Sequence, residues 1–322
     1  MDWIDKTILI TGGTGSLGKK LIGVLLQKHH PRKIIVFSRG EVKQHEMRMS
    51  DFDHSSLRYF IGDVRDQNRL NRAFQDVDIV VHAAALKQVP ACEYNPFEAV
   101  LTNVMGAKNV IDAALNQGVG TVMAISSDKA VNPCNLYGGT KLVAEKMFVQ
   151  ANVYSGLDGT KFSLCRYGNV IGSRGSVIPK FLEQQKSGTI SITDSRMTRF
   201  WITLDQSAEF IIQCLDKMQG GEIFVPKIPS MTITGLAEAI APDCEIEFVG
   251  IRPGEKLHEI LISEDEARHI EEQNDMYIIR PVYQQGQGKR PIDDKPLFGG
   301  LSFTSESNEQ WLSVEELRGL IE

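Results

Sequence analysis

Along the first half of this chain, short apolar runs rich in β-branched residues alternate with longer stretches of helical period. Lys6–Ile10, Lys33–Phe37, Arg58–Ile61, Asp78–His82, Gly120–Ser126 and Lys161–Arg166 read as strands of the kind buried on both faces of a parallel sheet. Between them, Lys19–Gln27, a pattern running from Asn95-Pro96 to about Leu115, and Tyr137–Asn152 read as helices. This alternation predicts an α/β fold built on a doubly wound parallel sheet. From Tyr167 the pattern breaks into turn-rich segments, after which Thr203–Lys217 reads as an amphipathic helix and Glu222–Val225 as a strand. The expected organisation is a nucleotide-binding domain over residues 1–167, with 201–225 returning to it. A smaller C-terminal substrate-binding lobe would occupy 168–322, ending in a polar, Gly/Pro-punctuated stretch around Gln284–Gly300 that says little about chemistry.

The first strand runs into TGGTGSLG, Thr11–Gly18, and this into a helix. Gly12 suits the tight turn, Gly15 lets backbone N–H groups approach a pyrophosphate, and Gly18 lets the helix pack closely on the sheet. With Thr14, Ser16 and Leu17 in the same loop, the phosphates would sit at a helix N-terminus, where free N–H groups favour anions. A glycine triplet alone also suits a flexible loop; the strand–turn–helix context is what points to a Rossmann-like nucleotide site. Sites that choose NAD usually carry Asp or Glu after the second strand. Here stand Ser38, Arg39 and then Lys43, a hydroxyl and two cations that suit the 2′-phosphate of NADP, with Glu41 as the contrary sign. Asp63 and Val64 would read adenine, or Asp63 would cap the next helix. Ala83, Ala84 and Ala85 are small enough for a cofactor to lie along the backbone at the end of the fourth strand. His82 reads as a core histidine, and Lys87 as a cation for a sugar nucleotide. Asn103, inside an apolar helix, needs a partner such as a water or the nicotinamide ribose.

The stretch ISSDKAVNPCNLYGGTK, Ile125–Lys141, holds the densest chemistry. On a helix, Tyr137 and Lys141 share one face, one turn apart. An ammonium beside a phenol favours the phenolate and lowers a pKa ordinarily near ~10. Ser127 would hydrogen-bond the same oxygen, with Ser126 beside the cofactor. Such a set removes a proton from an alcohol while a hydride leaves the same carbon, although Y-x-x-x-K also occurs in ordinary helices as a packed tyrosine and a solvated lysine. Asp128 and Lys129 add an acid–base pair that alcohol oxidation does not need. Pairing should stabilise the charged form of each, against use as acid and base, and the two should titrate as a unit. Downstream, Arg174, then Arg196 and Arg199, then Arg252 with Glu255 and Lys256 form three arginine-bearing loops, suited to an anionic ligand. Surface ion pairs are the plainer alternative.

Composition narrows the classes. Hydrophobic residues make up 42% and charged residues 24%, ordinary for a soluble globular protein, and the net charge of -6 argues against nucleic-acid binding. No run approaches the ~18 apolar residues that span a bilayer, and MDWIDKTILI lacks the features of a secretory signal, so no membrane association and a cytoplasmic location are expected. Five scattered cysteines without C-x-x-C read as reduced core thiols, with no disulfide framework and no metal site.

Together these motifs resemble the extended short-chain dehydrogenase/reductase family and, more closely, its inverting UDP-N-acetylglucosamine 4,6-dehydratases, which open pseudaminic acid synthesis. The likeness covers nearly the whole chain through TGGTGSLG, IGDVRD, HAAALKQVP, SSDKA, YGGTK, RYGNVIGSRGSVIP, ITDSRMTRFW, GGEIFVPKIPSM and IRPGEKLHE. The glycine loop and YGGTK mark only the large family; SSDKA, MTRFWI and IRPGEKLHE are more specific. The resemblance implies that Tyr137 and Lys141, with Ser127, oxidise carbon 4. Asp128 then protonates the departing carbon 6 hydroxyl while Lys129 removes the carbon 5 proton, and hydride returns from NADPH to carbon 6. Retaining relatives carry D-E where this chain has Asp128-Lys129, which implies inversion at carbon 5. By the same resemblance Lys87, Asn169, Arg174, Gly175, Ser176, Val177, Thr193, Arg252 and Glu255 contact the UDP-sugar. Gly40, where close relatives often have Asp, departs from the pattern. A homo-oligomer, as large as a hexamer, is also implied. A 4-epimerase or reductase of the same fold and a non-catalytic NADP-sensing protein are the competing readings.

Overall fold

A computed structural model describes residues 1–156, 159–281, 283–284, 288–289 and 302–321. All six expected strands form, close to their expected bounds: Thr7–Thr11 (β1), Lys33–Ser38 (β2), Leu57–Ile61 (β3), Ile79–His82 (β4), Thr121–Ser127 (β5) and Lys161–Tyr167 (β6). Ile223–Pro226 (β7) joins them, and Ile270–Glu272 (β8) and Met276–Ile279 (β9), not foreseen, complete a nine-stranded sheet of order β8-β9-β7-β6-β5-β4-β1-β2-β3. From β3 to β7 every pairing is parallel; β9 and β8 add antiparallel at the far edge. The winding reverses between β1 and β4, where Ile10 faces Val36 on one side and Val81 on the other. Open parallel sheets bind ligands beyond the carboxyl ends of the strands at such a switch point. The fold is thus the Rossmann-like α/β architecture that the alternating pattern predicts.

Every residue of β1 and β4 is buried, as expected of strands covered on both faces. Ile8, Ile10, Val36, Val80, Val122, Phe162 and Phe224 belong to one core around this sheet. A second core gathers Ile178, Phe181, Ile190, Ile192, Trp201 and Leu236. Each such side chain stabilises the fold by about 1.5–3 kcal/mol when fully buried.

The helices differ from their expected bounds in two informative places. Ser16–Val24 (α1) continues through a π-helical turn at Leu25–His29. The pattern from Asn95 to Leu115 is not one helix: Pro96–Val100 leads through a second π turn, Leu101–Met105, into Gly106–Gln117 (α2). The widened turn coincides with Asn103, whose amide bonds the neighbouring Leu86 backbone, and with Gly106, where a Cβ would press on Val64 Cγ2 at 2.8 Å. Leu136–Ser155 (α3) runs beside β6, and Leu204–Lys217 (α4) packs beside α1, with Lys20 Nζ 3.0 Å from Asp205. No helix among the described residues is long and apolar enough to cross a membrane. Cys92, Cys165 and Cys214 are buried free thiols as expected, but Cys134 is exposed and Cys244 half-buried, so these two are not core residues. Most of the polar Gln284–Gly300 stretch lies outside the described residues.

One buried charge network ties these layers. The Arg166 guanidinium on β6, 1% exposed, donates to both carboxylate oxygens of Glu145 on α3 at 2.9 and 2.7 Å. It also donates to Glu266 at 2.8 and 2.9 Å and to the Leu261 carbonyl. Burial opposes the Glu266 charge, but Arg166 outweighs it and brings the carboxyl down to about 2. Removing one member of such a network leaves an uncompensated buried charge. Glu145→Gln should therefore lower unfolding stability by about 3–5 kcal/mol, read as a shift in the urea midpoint at unchanged slope. The Glu266 contribution is present above its unfolded value and lost as pH falls through about 2, so wild-type stability should decline over that acidic window.

Candidate active site

A cleft of about 750 Å³ opens over the carboxyl ends of β1, β2, β4 and β5. Its floor is the glycine turn. Gly12 sits at φ +69, and a Cβ there would come within 3.0 Å of the Ala84 backbone nitrogen, so the turn lies directly on the alanine segment. Gly18 packs on the turn rather than on the sheet, since its Cβ would fall 2.6 Å from Gly13 Cα. Gly15 donates its N–H to Gly12 at 2.8 Å, leaving the first turn of α1, with Ser16, Leu17 and Gly18, at the cleft wall beside Thr14. Thr102 Oγ1, Ser126 Oγ, Tyr167 OH and Ser176 Oγ are buried without a hydrogen-bond partner among the described residues, and all four residues line this cleft. Buried polar groups are normally paired. A wall of unpaired hydroxyls over a helix N-terminus fits a phosphate- and ribose-bearing ligand such as a nicotinamide dinucleotide.

Ser38, Arg39 and Lys43 line the same cleft, with Asp63, Val64 and the Ala83, Ala84 and Ala85 segment. The Asp63 carboxylate is engaged by Arg65, whose Nε and Nη2 donate at 2.9 and 2.8 Å, and it caps no helix; Asp66 does, accepting from the Arg69 N–H. Asn103 does not line this cleft. Its Oδ1 accepts from the Leu86 N–H at 2.8 Å while its Nδ2 donates to the Leu86 carbonyl and Thr140 Oγ1, so protein groups satisfy the amide that was expected to reach a ribose. It holds the Lys87 loop, and Lys87 does line the cleft, where burial first and then Lys129 disfavour its ammonium. His82 is a core residue: it pairs with Thr11 Oγ1 at 2.8 Å, and burial, then Lys141, hold it neutral down to about pH 3.

Helix α3 brings Tyr137 and Lys141 to the cleft. Asn135 caps it, accepting from the Gly138 N–H at 2.8 Å, and its Nδ2 reaches the Gly254 carbonyl at 2.8 Å. Gly138 must lack a side chain, because a Cβ would collide with the Lys129 carbonyl oxygen. That absence lets the helix lie against the short turn Asp128–Ala130. The Lys141 ammonium is committed to the Ile125 carbonyl, and burial lowers it to about 8 against the opposing Glu145. The largest charge acting on the phenol comes from another lysine. Burial pushes Tyr137 up to about 12, and the principal opposing charge is Lys129, with hydrogen bonding to Ser127 lowering it further.

Asp128 and Lys129 depart from the symmetrical pair expected. Lys129 Nζ lies 3.2 Å from Asp128 Oδ1, 3.3 Å from Glu259 Oε1 and 3.5 Å from Asn169 Oδ1. Burial works against the ammonium, but Asp128 and Glu259 more than offset it and raise Lys129. Asp128 is 1% exposed, lies behind the cleft wall, and touches it through Ser127 Oγ at 2.6 Å. Burial raises Asp128, Lys129 opposes, and Glu259 raises it further, so its pKa moves up where ion pairing alone would lower it.

The three arginine loops share the site unequally. Asn169, Arg174, Gly175, Ser176 and Val177 line the cleft, and Gln88 of the Lys87 loop donates to the Gly175 carbonyl at 3.2 Å. Thr193, Arg252 and Glu255 do not line it: Thr193 contacts Met197, and Arg252 pairs with Glu255 at 3.8 Å. Arg196 binds its neighbour Asp194, and buried Arg199 donates to the Thr198, Lys256 and Leu257 carbonyls. Residues not singled out from sequence are Gln88, Thr102, Tyr167 and Glu259. Of these, Glu259 closes IRPGEKLHE, where nothing local marks it as buried; Gln88 sits at the N-cap of a short helix, Thr102 in the second π turn and Tyr167 at the end of β6, all common polar types with no motif of their own.

Comparison with known proteins agrees with this geometry. A family model described as polysaccharide biosynthesis protein matches residues 8–281. A curated UDP-N-acetylglucosamine 4,6-dehydratase (inverting) of Campylobacter jejuni is 50% identical, over 98% of this chain and 97% of the relative. A UDP-glucose 4-epimerase of Rickettsia massiliae is 42% identical over 99% and 96%. The X-ray structure of Pen from Bacillus thuringiensis superposes with TM-score 0.89 at 40% identity, covering 100% of this chain and 99% of that one. With residues 8–281 matched by the family model and nearly its full length in common with these relatives, this chain belongs to the polysaccharide biosynthesis protein family.

Proposed function

We propose that this protein is an inverting UDP-N-acetylglucosamine 4,6-dehydratase that works with NADP. It would yield the 4-keto-6-deoxy sugar of L-arabino configuration that opens pseudaminic acid synthesis. The observation that carries the reading is the meeting, at one cleft, of a tyrosine–serine pair with a second acid–base set: Lys129, which lines the cleft, and Asp128, 3.2 Å from it behind the wall. An alcohol dehydrogenation needs the first alone; loss of water needs both. Residues 1–167 with 201–225 form the cofactor domain in this proposal, and the remainder forms the UDP-sugar lobe. Arg39, Lys43 and Ser38 hold the 2′-phosphate, and Arg174 with Lys87 meets the diphosphate or the sugar. The working form is taken to be a cytoplasmic homo-oligomer.

Bound NADP would take a hydride from carbon 4 and later return it to carbon 6. Tyr137, steadied by Ser127 and by the Lys129 charge, takes the carbon 4 hydroxyl proton as the ketone forms. The ketone acidifies the carbon 5 proton, which Lys129 removes once its own proton has passed to Asp128. Asp128 supplies that proton, through Ser127, to the departing carbon 6 hydroxyl, and water leaves. A solvent proton added to the other face of carbon 5 completes the inversion and Tyr137 gives its proton back to solvent; because the hydride that the cofactor would hold goes back to the sugar, there is no net redox change.

A second reading, 4-epimerisation, is favoured by the 42% identity to an epimerase over nearly the full chain. It differs in releasing no water. Incubation with UDP-N-acetylglucosamine in deuterated water, without added cofactor, separates the two. Loss of water with deuterium at carbon 5 is the expected result; unchanged mass with an inverted 4-hydroxyl would make the protein an epimerase. Lys129→Ala should reduce water loss by about 10²-fold or more, measured well below the variant's unfolding midpoint, which loss of this buried counter-ion should lower; elimination at the wild-type rate would overturn the Lys129 role. Arg39→Ala should weaken NADP binding by about tenfold, the loss of one charge-assisted hydrogen bond, and leave NAD binding within about twofold, both read by quenching of protein fluorescence.

A further inference from the structure

Glu259 has no part in the reaction as described above, yet it lies at its centre. Its backbone is fixed from both sides by Ser305: the Glu259 N–H donates to Ser305 Oγ at 2.9 Å, and the Ser305 N–H donates to the Glu259 carbonyl at 2.8 Å. The side chain is 4% exposed and meets three cations: Lys129 at 3.3 Å, Arg199 at 3.7 Å and Lys256 at 3.9 Å. Its Oε2 accepts no hydrogen bond among the described residues. Lys129 is therefore an ammonium between two buried carboxylates, and only one of them has cations of its own in reserve.

We propose that Glu259 is a positioning residue that serves as counter-ion to Lys129, holds Nζ at the cleft wall and leaves Asp128 to carry the acid proton. The inference rests on the dehydratase reading and removes a difficulty in it. An isolated Asp128–Lys129 pair stabilises carboxylate and ammonium together, which leaves neither an acid nor a base. Two carboxylates around one ammonium do not share its charge equally. Burial disfavours the Glu259 carboxylate, but Lys129, Arg199 and Lys256 together outweigh burial and lower its pKa. Asp128, backed only by Lys129 and a hydrogen bond from Ser127, moves the other way. The groups facing Lys129 are Asp128, Glu259, Asn169, Arg199, Tyr137 and Lys87.

The sign of the effect follows. Glu259 raises both Asp128 and Lys129, so neutralising it lowers both. An acid works below its pKa and a base above it, so both limbs of the kcat profile for water loss should move to lower pH in Glu259→Gln. The expected displacement is at least about one unit, the size of the effect of one nearby charge, with KM for UDP-N-acetylglucosamine within about twofold. Glu259→Asp should restore most of the wild-type profile. Limbs that stay in place, or a loss uniform across pH, would overturn the proposal. A measurement on the unaltered protein guards against misfolding of the variant: carboxyl carbon NMR should show Glu259 titrating below Asp128, and the reverse order would sink the idea. Wild-type protein that releases no water would reject the dehydratase reading, while the titration order would still decide the part given to Glu259.

Discussion

Much of this molecule depends on a polar stripe along one face of α3. Tyr137, Lys141 and Glu145 recur at intervals of four and are all buried, so each must be satisfied by a different neighbour. Lys141 is bound to the carbonyl of Ile125 on β5, Glu145 to Arg166 on β6, and Tyr137 is left facing the cleft. The lower rungs fix the helix in rotation and along its axis, and the top rung inherits that precision. A buried ion network is not needed for stability as such, since apolar packing often does as well. Here it sets register, and register places the phenol.

The electrostatics above that helix are governed by desolvation more than by pairing. Burial raises the phenol, lowers the Lys141 ammonium and raises Asp128, while neighbouring charges decide how far each shift goes. Lys129, which touches the carboxylates and acts on the phenol, is the shared element of both acid–base sets.

The fold was legible because its signals are local and repeated. β-Branched runs such as Ile8–Ile10 and Ile34–Val36 are buried along their length, and TGGTGSLG is marked as a close turn by the strand before it and the helix after it. The edge strands β8 and β9 were missed because EARHIEEQNDMYIIR is charged or polar in most of its positions, which hides the strand pattern. The site was legible where residues sit beside a recognisable turn, as with Tyr137, Asp128 and Arg174. Spacing misled where a partner came from elsewhere in the chain. Lys141 shares a helical face with Tyr137 but is drawn to Ile125, and Asn103 is claimed by Leu86. Arg199 points inward to main-chain carbonyls and does not line the cleft, which its place in an arginine-bearing loop does not foretell. Glu259 lay beyond any local reading, because the cations that define it come from Lys129 and Arg199, far away in sequence.

The loop that holds Arg252 and Glu255 stands off the cleft, but it is not detached from the chemistry. Its Gly254 carbonyl is gripped by Asn135, the residue that caps α3, and Lys256 donates to the Val131 carbonyl just beyond the Asp128–Ala130 turn. The loop, the cap and the turn are thus joined as a linkage with its fulcrum at Asn135. The first turn of the helix carrying Tyr137 is thereby fastened to a segment more than a hundred positions away in sequence, so the placement of the phenol is set from both ends of the chain's fold and not by its own helix alone.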